Sequence, residues 1–289
     1  MTTTTTTRQP IRRSLVGRHP ITAFLLLAYP LTVAVVVTPF PEEVGGALEN
    51  IVGVAVPAFL VTGLVGGAGG VRDLLRRCLR WRVPLRWYAI AVTLPPVVLV
   101  ITPALYGQAP LHALAGNWSL VFTSFLPTFV FFLVLNTLPE EAGATGFLFS
   151  RLQHRYGPMR GVLLTTAFFW LWHVPSAVRD SDTLVTGAEV LAFYLVGHLA
   201  SRVVAGWLYN ATGASVLIVG IFHAMFNATV NPTGLGVAVL GLQQLDVLLL
   251  IPGFLALAAG TIAVVTRGRL CYRAEAWAAL QAQGRGDDR

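Results

Sequence analysis

The feature that most restricts how this chain can fold is a series of eight apolar runs, each near the roughly 20 residues a helix needs to cross a bilayer core. They cover residues 20–38, 47–67, 88–106, a stretch within 119–150, 161–177, 184–209, 213–231 and 247–266. The short connections carry charge on alternate sides. Arg8, Arg12, Arg13 and Arg18 precede the first run, and Arg72, Arg76, Arg77, Arg80, Arg82 and Arg86 follow the second. Arg151, Arg155 and Arg160 follow the fourth, and Arg267, Arg269 and Arg273 the eighth. The intervening connections hold Glu42 and Glu43, then no charge over 107–117, then Asp180 and Asp182 against Arg179, then Asp246. Arginine on every second connection is the positive-inside pattern of an even number of spans with both termini in the cytoplasm. The expected fold is an all-α, polytopic membrane bundle of about eight helices.

Composition agrees. Charged residues make up 11% of the chain and hydrophobic ones 55%, too little charge to clothe a soluble domain. The net charge of +7 sits in clusters beside apolar runs, as at a membrane surface, and no nucleic-acid motif accompanies it. All 20 basic residues are arginine, a usage that points to a GC-rich bacterial genome and so to a bacterial plasma membrane. The two cysteines, Cys78 and Cys271, fall in arginine-rich segments where no disulfide is expected.

The organisation expected is a basic tail at 1–19, N-terminal spans over 20–116, a core over 117–231, and a last span with a cytoplasmic tail over 232–289. Residues 71–87 interleave arginine with Leu74, Leu75, Leu79, Trp81 and Trp87 and read as an amphipathic helix on the inner leaflet, ended or bent by Pro84. Gly63 and Gly67 form a small-xxx-small pair suited to close helix approach. A short amphipathic helix is expected over 273–283.

Ionisable residues inside spans are expensive and mark functional sites. This chain has Glu140, Glu141, His173, His198, Arg202 and His223, with Glu189 nearer a span end. Counting along helices at 1.5 Å per residue puts the glutamate pair about 15 Å from Arg151, His173 about 20 Å from Arg160 and His223 about 15 Å from Gly213. Three helices thus bring two carboxylates and two imidazoles to similar depth. Phe169 and His173, like His223 and Asn227, are four residues apart and share a face. Adjacent glutamates differ by about 100° around a helix, so one of the two points squarely at the others. Buried carboxylates near imidazoles are equipped for general acid–base work on water, and His223 with Asn227 offers donors to an oxyanion. His198 reads as a packing residue and Arg202 as the partner of Glu140 or Glu141.

Three segments resemble, in order, the motifs of the CPBP family of intramembrane endopeptidases, also called CAAX prenyl protease 2-like or Abi proteins. They are Glu140-Glu141 followed by Gly146-Phe147 and Arg151, Phe169-x-x-x-His173, and Trp207-Leu-Tyr-Asn210 leading into His223-x-x-x-Asn227. The resemblance covers roughly 117–231. It implies peptide hydrolysis by water activated at Glu140, assisted by Glu141 and His173, with His223 and Asn227 stabilising the oxyanion. It also implies a membrane-protein or lipidated-peptide substrate, CAAX-type processing and no cofactor. The sequence departs from the family pattern at Ala144, which replaces an aromatic, and at Thr145, which replaces an arginine that would pair with Glu141. Arg202 is the candidate to supply that charge. The site is expected to open to the cytoplasm.

Other readings stay open. Glu140, His173 and His223 are the set that would hold zinc or another divalent metal, although no His-Glu-x-x-His motif is present. The spans contain no aspartate pair, and Ser215 shares a helix with His223 near the membrane edge. A silenced protease acting as a membrane-binding or immunity protein, or a proton-coupled transporter, would also use buried Glu and His; no inverted repeat or pair of broken helices supports a transporter.

Overall fold

A computed structural model describes residues 15–275. The expected basic tail up to Ser14, and most of the helix expected over 273–283 with the polar end beyond it, lie outside the described residues. Among the described residues the chain is helical throughout, with no strand. The elements are α1 (Pro20–Val36), α2 (Val44–Cys78), α3 (Leu85–Thr93), α4 (Val97–Tyr106), α5 (Ala109–Asn117), α6 (Val121–Tyr156), α7 (Pro158–Arg179), α8 (Leu184–Ala211), α9 (Val216–Val230) and α10 (Gln244–Val265).

Every apolar run is helical, but length sorts them. Helices α2, α6, α7, α8 and α10 are long and apolar enough to cross a bilayer. α3 and α4 meet at 57° and make a sixth crossing if counted together. The bend falls at Pro95-Pro96, where two successive backbone N–H groups are missing. α1 has 17 residues and α9 has 15, because turns take residues the apolar runs had included, at the C-terminal end of α1 and at both ends of α9. Five helices, or six with the bent pair, are thus long and apolar enough to cross a bilayer, with α1 and α9 as shorter apolar helices beside them, and together they make an integral membrane protein.

Tertiary contacts sort the connections into two ends. At one end Ser215 Oγ donates to the Arg80 carbonyl (2.7 Å) and His154 Nδ1 meets the Tyr272 hydroxyl (3.2 Å). At the other end Ser124 Oγ donates to the Thr233 carbonyl (2.7 Å), and Arg179 pairs with Glu49 (3.2 Å) and Asp180 (2.6 Å). The arginine-rich connections thus share one end. The opposite end holds Arg179, neutralised by its two carboxylates.

Two expectations are corrected. Residues 71–87 are not one surface helix: α2 ends at Cys78, and Pro84 precedes a fresh start at Leu85. Leu74, Arg77 and Cys78 are buried. Arg77 turns inward because its guanidinium finds the Gly146 carbonyl (2.8 Å), the Tyr209 hydroxyl (2.9 Å) and Asp73 (3.0 Å). Gly67 is not a packing glycine either. Its φ of 61° breaks α2, and a Cβ added there would meet nothing within 4 Å. Close approach occurs elsewhere. A Cβ on Gly143 of α6 would collide with the Val54 side chain and come within 2.9 Å of its carbonyl oxygen on α2.

Candidate active site

α6 carries the glutamate pair where its winding changes. Pro139 lacks an N–H, so the preceding turn cannot close in the ordinary α pattern, and the chain over Phe132–Thr137 takes wide π-type turns. A second wide stretch, Ala142–Phe149, follows the pair directly. All eight of its residues are buried.

The two glutamates occupy different surroundings. Glu141 is fully buried and saturated. Arg202 of α8 reaches both of its oxygens, one at 2.9 Å, and Thr145 Oγ1 donates to it. His223 Nδ1 lies 2.8 Å from it. Arg202 Nη1 also lies 3.4 Å from Thr145 Oγ1, and its guanidinium stacks 4.3 Å over the Phe169 ring. The cation on Glu141 thus comes from α8, and the Thr145 hydroxyl lies beside the pair. Arg202 chooses Glu141 rather than Glu140.

Glu140, by contrast, keeps Oε1 buried without a hydrogen-bond partner, 4.0 Å from His223 Nδ1. It faces a cavity of about 710 Å³ whose inner wall includes Phe169, His173, His198, His223 and Asn227. The structure thus brings Glu140, His173, His223 and Asn227 to one cavity, and places Glu141, Thr145 and Arg202 behind it.

Partners fix the ring nitrogens. His173 Nδ1 sits 2.7 Å from the Phe169 carbonyl. A carbonyl only accepts, so Nδ1 carries the proton and neutral His173 presents an unprotonated Nε2. His223 Nδ1 likewise donates to the Glu141 carboxylate. In the neutral state its Nε2 is an acceptor; as an imidazolium it donates.

His198, read from sequence as a packing residue, lies tilted against His173 with ring centroids 4.5 Å apart and edge-on to Phe169 at 5.2 Å. It also lines the cavity, and its buried Nδ1 has no partner. Tyr194, Asn50 and Asn136 line the same space without having been singled out. Uncharged residues within apolar runs give no signal of that kind. Glu140, His173 and His223 are the set named above for a metal, and among the described residues no three His, Cys, Asp or Glu side chains are grouped to hold an ion.

The outer lining of the cavity includes Glu49, Glu189, Asn231 and Gln244, all near connections at the arginine-poor end.

Residues 122–229 match the family model described as type II CAAX prenyl endopeptidase Rce1-like. CAAX prenyl protease 2 of Methanococcus maripaludis is 24% identical over 165 residues, which cover 54% of this chain and 60% of that protein. The chain thus spans less than two thirds of the relative it matches. The segment matched by the family model contains Glu140, Glu141, Phe169, His173, Arg202, His223 and Asn227, and both comparisons report a likeness to CAAX prenyl endopeptidases.

Proposed function

We propose that the protein is an intramembrane endopeptidase that hydrolyses peptide bonds of membrane-associated proteins or peptides with water activated by Glu140. The observation that carries this reading is the division of the glutamate pair. One carboxylate is locked in an ion pair, and its neighbour faces a cavity beside three imidazoles with an oxygen unpartnered. Glu140 takes a proton from water as the oxygen attacks the scissile carbonyl carbon. His173 Nε2 accepts the hydrogen bond of the second water hydrogen and fixes the direction of attack. The carbonyl oxygen, now negative, is held by the Asn227 amide and by protonated His223. Collapse breaks the C–N bond, and Glu140 returns its proton to the leaving amine. Glu141, Arg202 and Thr145 position His223.

The name of the archaeal relative attaches CAAX prenyl processing to that protein; for this chain the proposal is hydrolysis at a membrane, in a bacterial plasma membrane. Purified protein in liposomes should cut a membrane-inserted peptide, retain that activity after exhaustive chelation, and lose it in Glu140→Gln. Undiminished cleavage by Glu140→Gln would remove Glu140 from the mechanism. Loss of cleavage on chelation, restored by zinc, would replace this chemistry with a metal-assisted one.

A further inference from the structure

The glutamate pair is sealed on one side and open on the other. Towards the arginine-rich end, residues 142–149 of α6 are buried around their whole circumference, and Ser150 after them is buried too. Eight residues span about 12 Å. α2 and α9 close on this stretch so tightly that a Cβ on Gly146 would lie 2.8 Å from Leu74 and 3.2 Å from Val216. Fully buried Leu208 and Tyr209 close it from α8. Arg77 then ties the three helices together through the Gly146 carbonyl and the Tyr209 hydroxyl. Neither a peptide nor a file of water fits through packing of this density.

Towards the arginine-poor end the cavity leaves Glu140 between the N-terminal halves of α8 and α10. Those helices meet at Gly197 and Pro252, where a Cβ on the glycine would lie 3.9 Å from the proline ring. Beyond that contact the lining includes Leu245 and Leu249, which are 66% and 58% exposed. Glu49, Asn136, Asn231 and Gln244 give the same cavity a polar wall. A leucine-edged side opening joined to a polar interior suits an apolar segment that enters from lipid and exposes one unwound peptide bond.

From this arrangement and the arginine distribution, we infer that Glu140 is reached from the extracytoplasmic half of the bilayer, through the opening between α8 and α10. Its substrates are membrane-inserted polypeptides whose scissile bond lies in that half. The word substrate rests on the hydrolase reading above; the direction of access does not.

Labelling tests the direction without requiring catalysis. Ser176→Cys, on an adjoining recess that shares Glu49, Asn136, His173 and Asn231 with the Glu140 cavity, and Ser201→Cys in that cavity are near-isosteric changes, each made with Cys78→Ser and Cys271→Ser. A variant keeping only the exposed Cys271 reports the arginine-rich end. With a charged, membrane-impermeant methanethiosulfonate, both introduced cysteines should react at least tenfold faster in right-side-out vesicles than in inverted ones, and Cys271 should do the reverse. Faster reaction in inverted vesicles, equal rates, or silence of Ser201→Cys from both faces while Ser176→Cys reacts overturns the inference. For the substrate class, two model membrane segments carry one helix-breaking Gly-Pro step, in the outer or the inner half. Cleavage of the outer-half segment alone is expected; cutting of the inner-half segment, or of neither, overturns it. Failure of Glu140→Gln to abolish cleavage defeats the hydrolase reading and leaves the labelling result intact.

Discussion

On one side of the glutamate pair, α6 is packed on every face against α2, α8 and α9; on the other it forms part of the wall of a cavity. The same contrast divides the two adjacent carboxylates. Glu141 has an arginine, a threonine hydroxyl and an imidazole on its oxygens, whereas Glu140 has an oxygen with none. A single helix thus carries a fully paired carboxylate and one with an unpartnered oxygen at consecutive positions. The 100° between neighbours aims one at the packed side and one at the open side.

That contrast can be broken from either side. Glu140→Gln should lower cleavage by about 10²–10⁴-fold, the range of a lost general base, while leaving thermal unfolding in detergent near that of the wild type. A variant that both unfolds early and loses activity would mean that Glu140 is an anchor as well. Arg202→Met should act in the opposite way. It leaves the Glu141 carboxylate buried without its cation, a loss of about 3–5 kcal/mol. The double variant Arg202→Met/Glu141→Gln should recover much of that stability, and a double variant no more stable than the single would show that the pair is not the point of strain. Gly143→Ala should cost about 1–3 kcal/mol by overpacking α6 against Val54. Gly66→Ala, with open space around its Cβ, should be neutral or stabilising by up to about 1 kcal/mol as a helical alanine. Equal effects at the two glycines would show that the packed half is looser than its burial indicates. Thr145→Val keeps the shape and removes the hydroxyl from Glu141, with an expected loss of about 1 kcal/mol. Thr145→Ser should restore it.

Much of the site is legible in the sequence because charge inside an apolar run has few explanations. Glu140, Glu141, His173 and His223 could be assigned a common depth by counting residues along helices, and the all-helical fold follows from the same runs. What depth does not contain is the state of packing on either side of it. Nothing about residues 142–149 as a string says that they fill a plug, and the cavity's polar wall at Asn50, Asn136 and Gln244 consists of uncharged residues whose neighbours are remote in sequence. Arg77 misleads for the opposite reason. A run rich in arginine beside a membrane looks like a surface, and only tertiary contacts with Gly146 and Tyr209 show one of those arginines facing inward. Gly67 belongs to the same class: a glycine required by φ and one required by close packing are written with the same letter.

The pairing of Glu141 with Arg202 also bears on how the molecule is made. The two residues are 61 positions apart, and α6 leaves the ribosome well before α8. At about 5–20 residues per second, roughly 3–12 seconds of synthesis separate the anion from its cation. During that interval α6 must be accommodated at the translocation machinery with two carboxyl groups that no part of the chain yet compensates. Assembly of the site is therefore a late event, completed when α8 delivers Arg202 and α9 delivers His223.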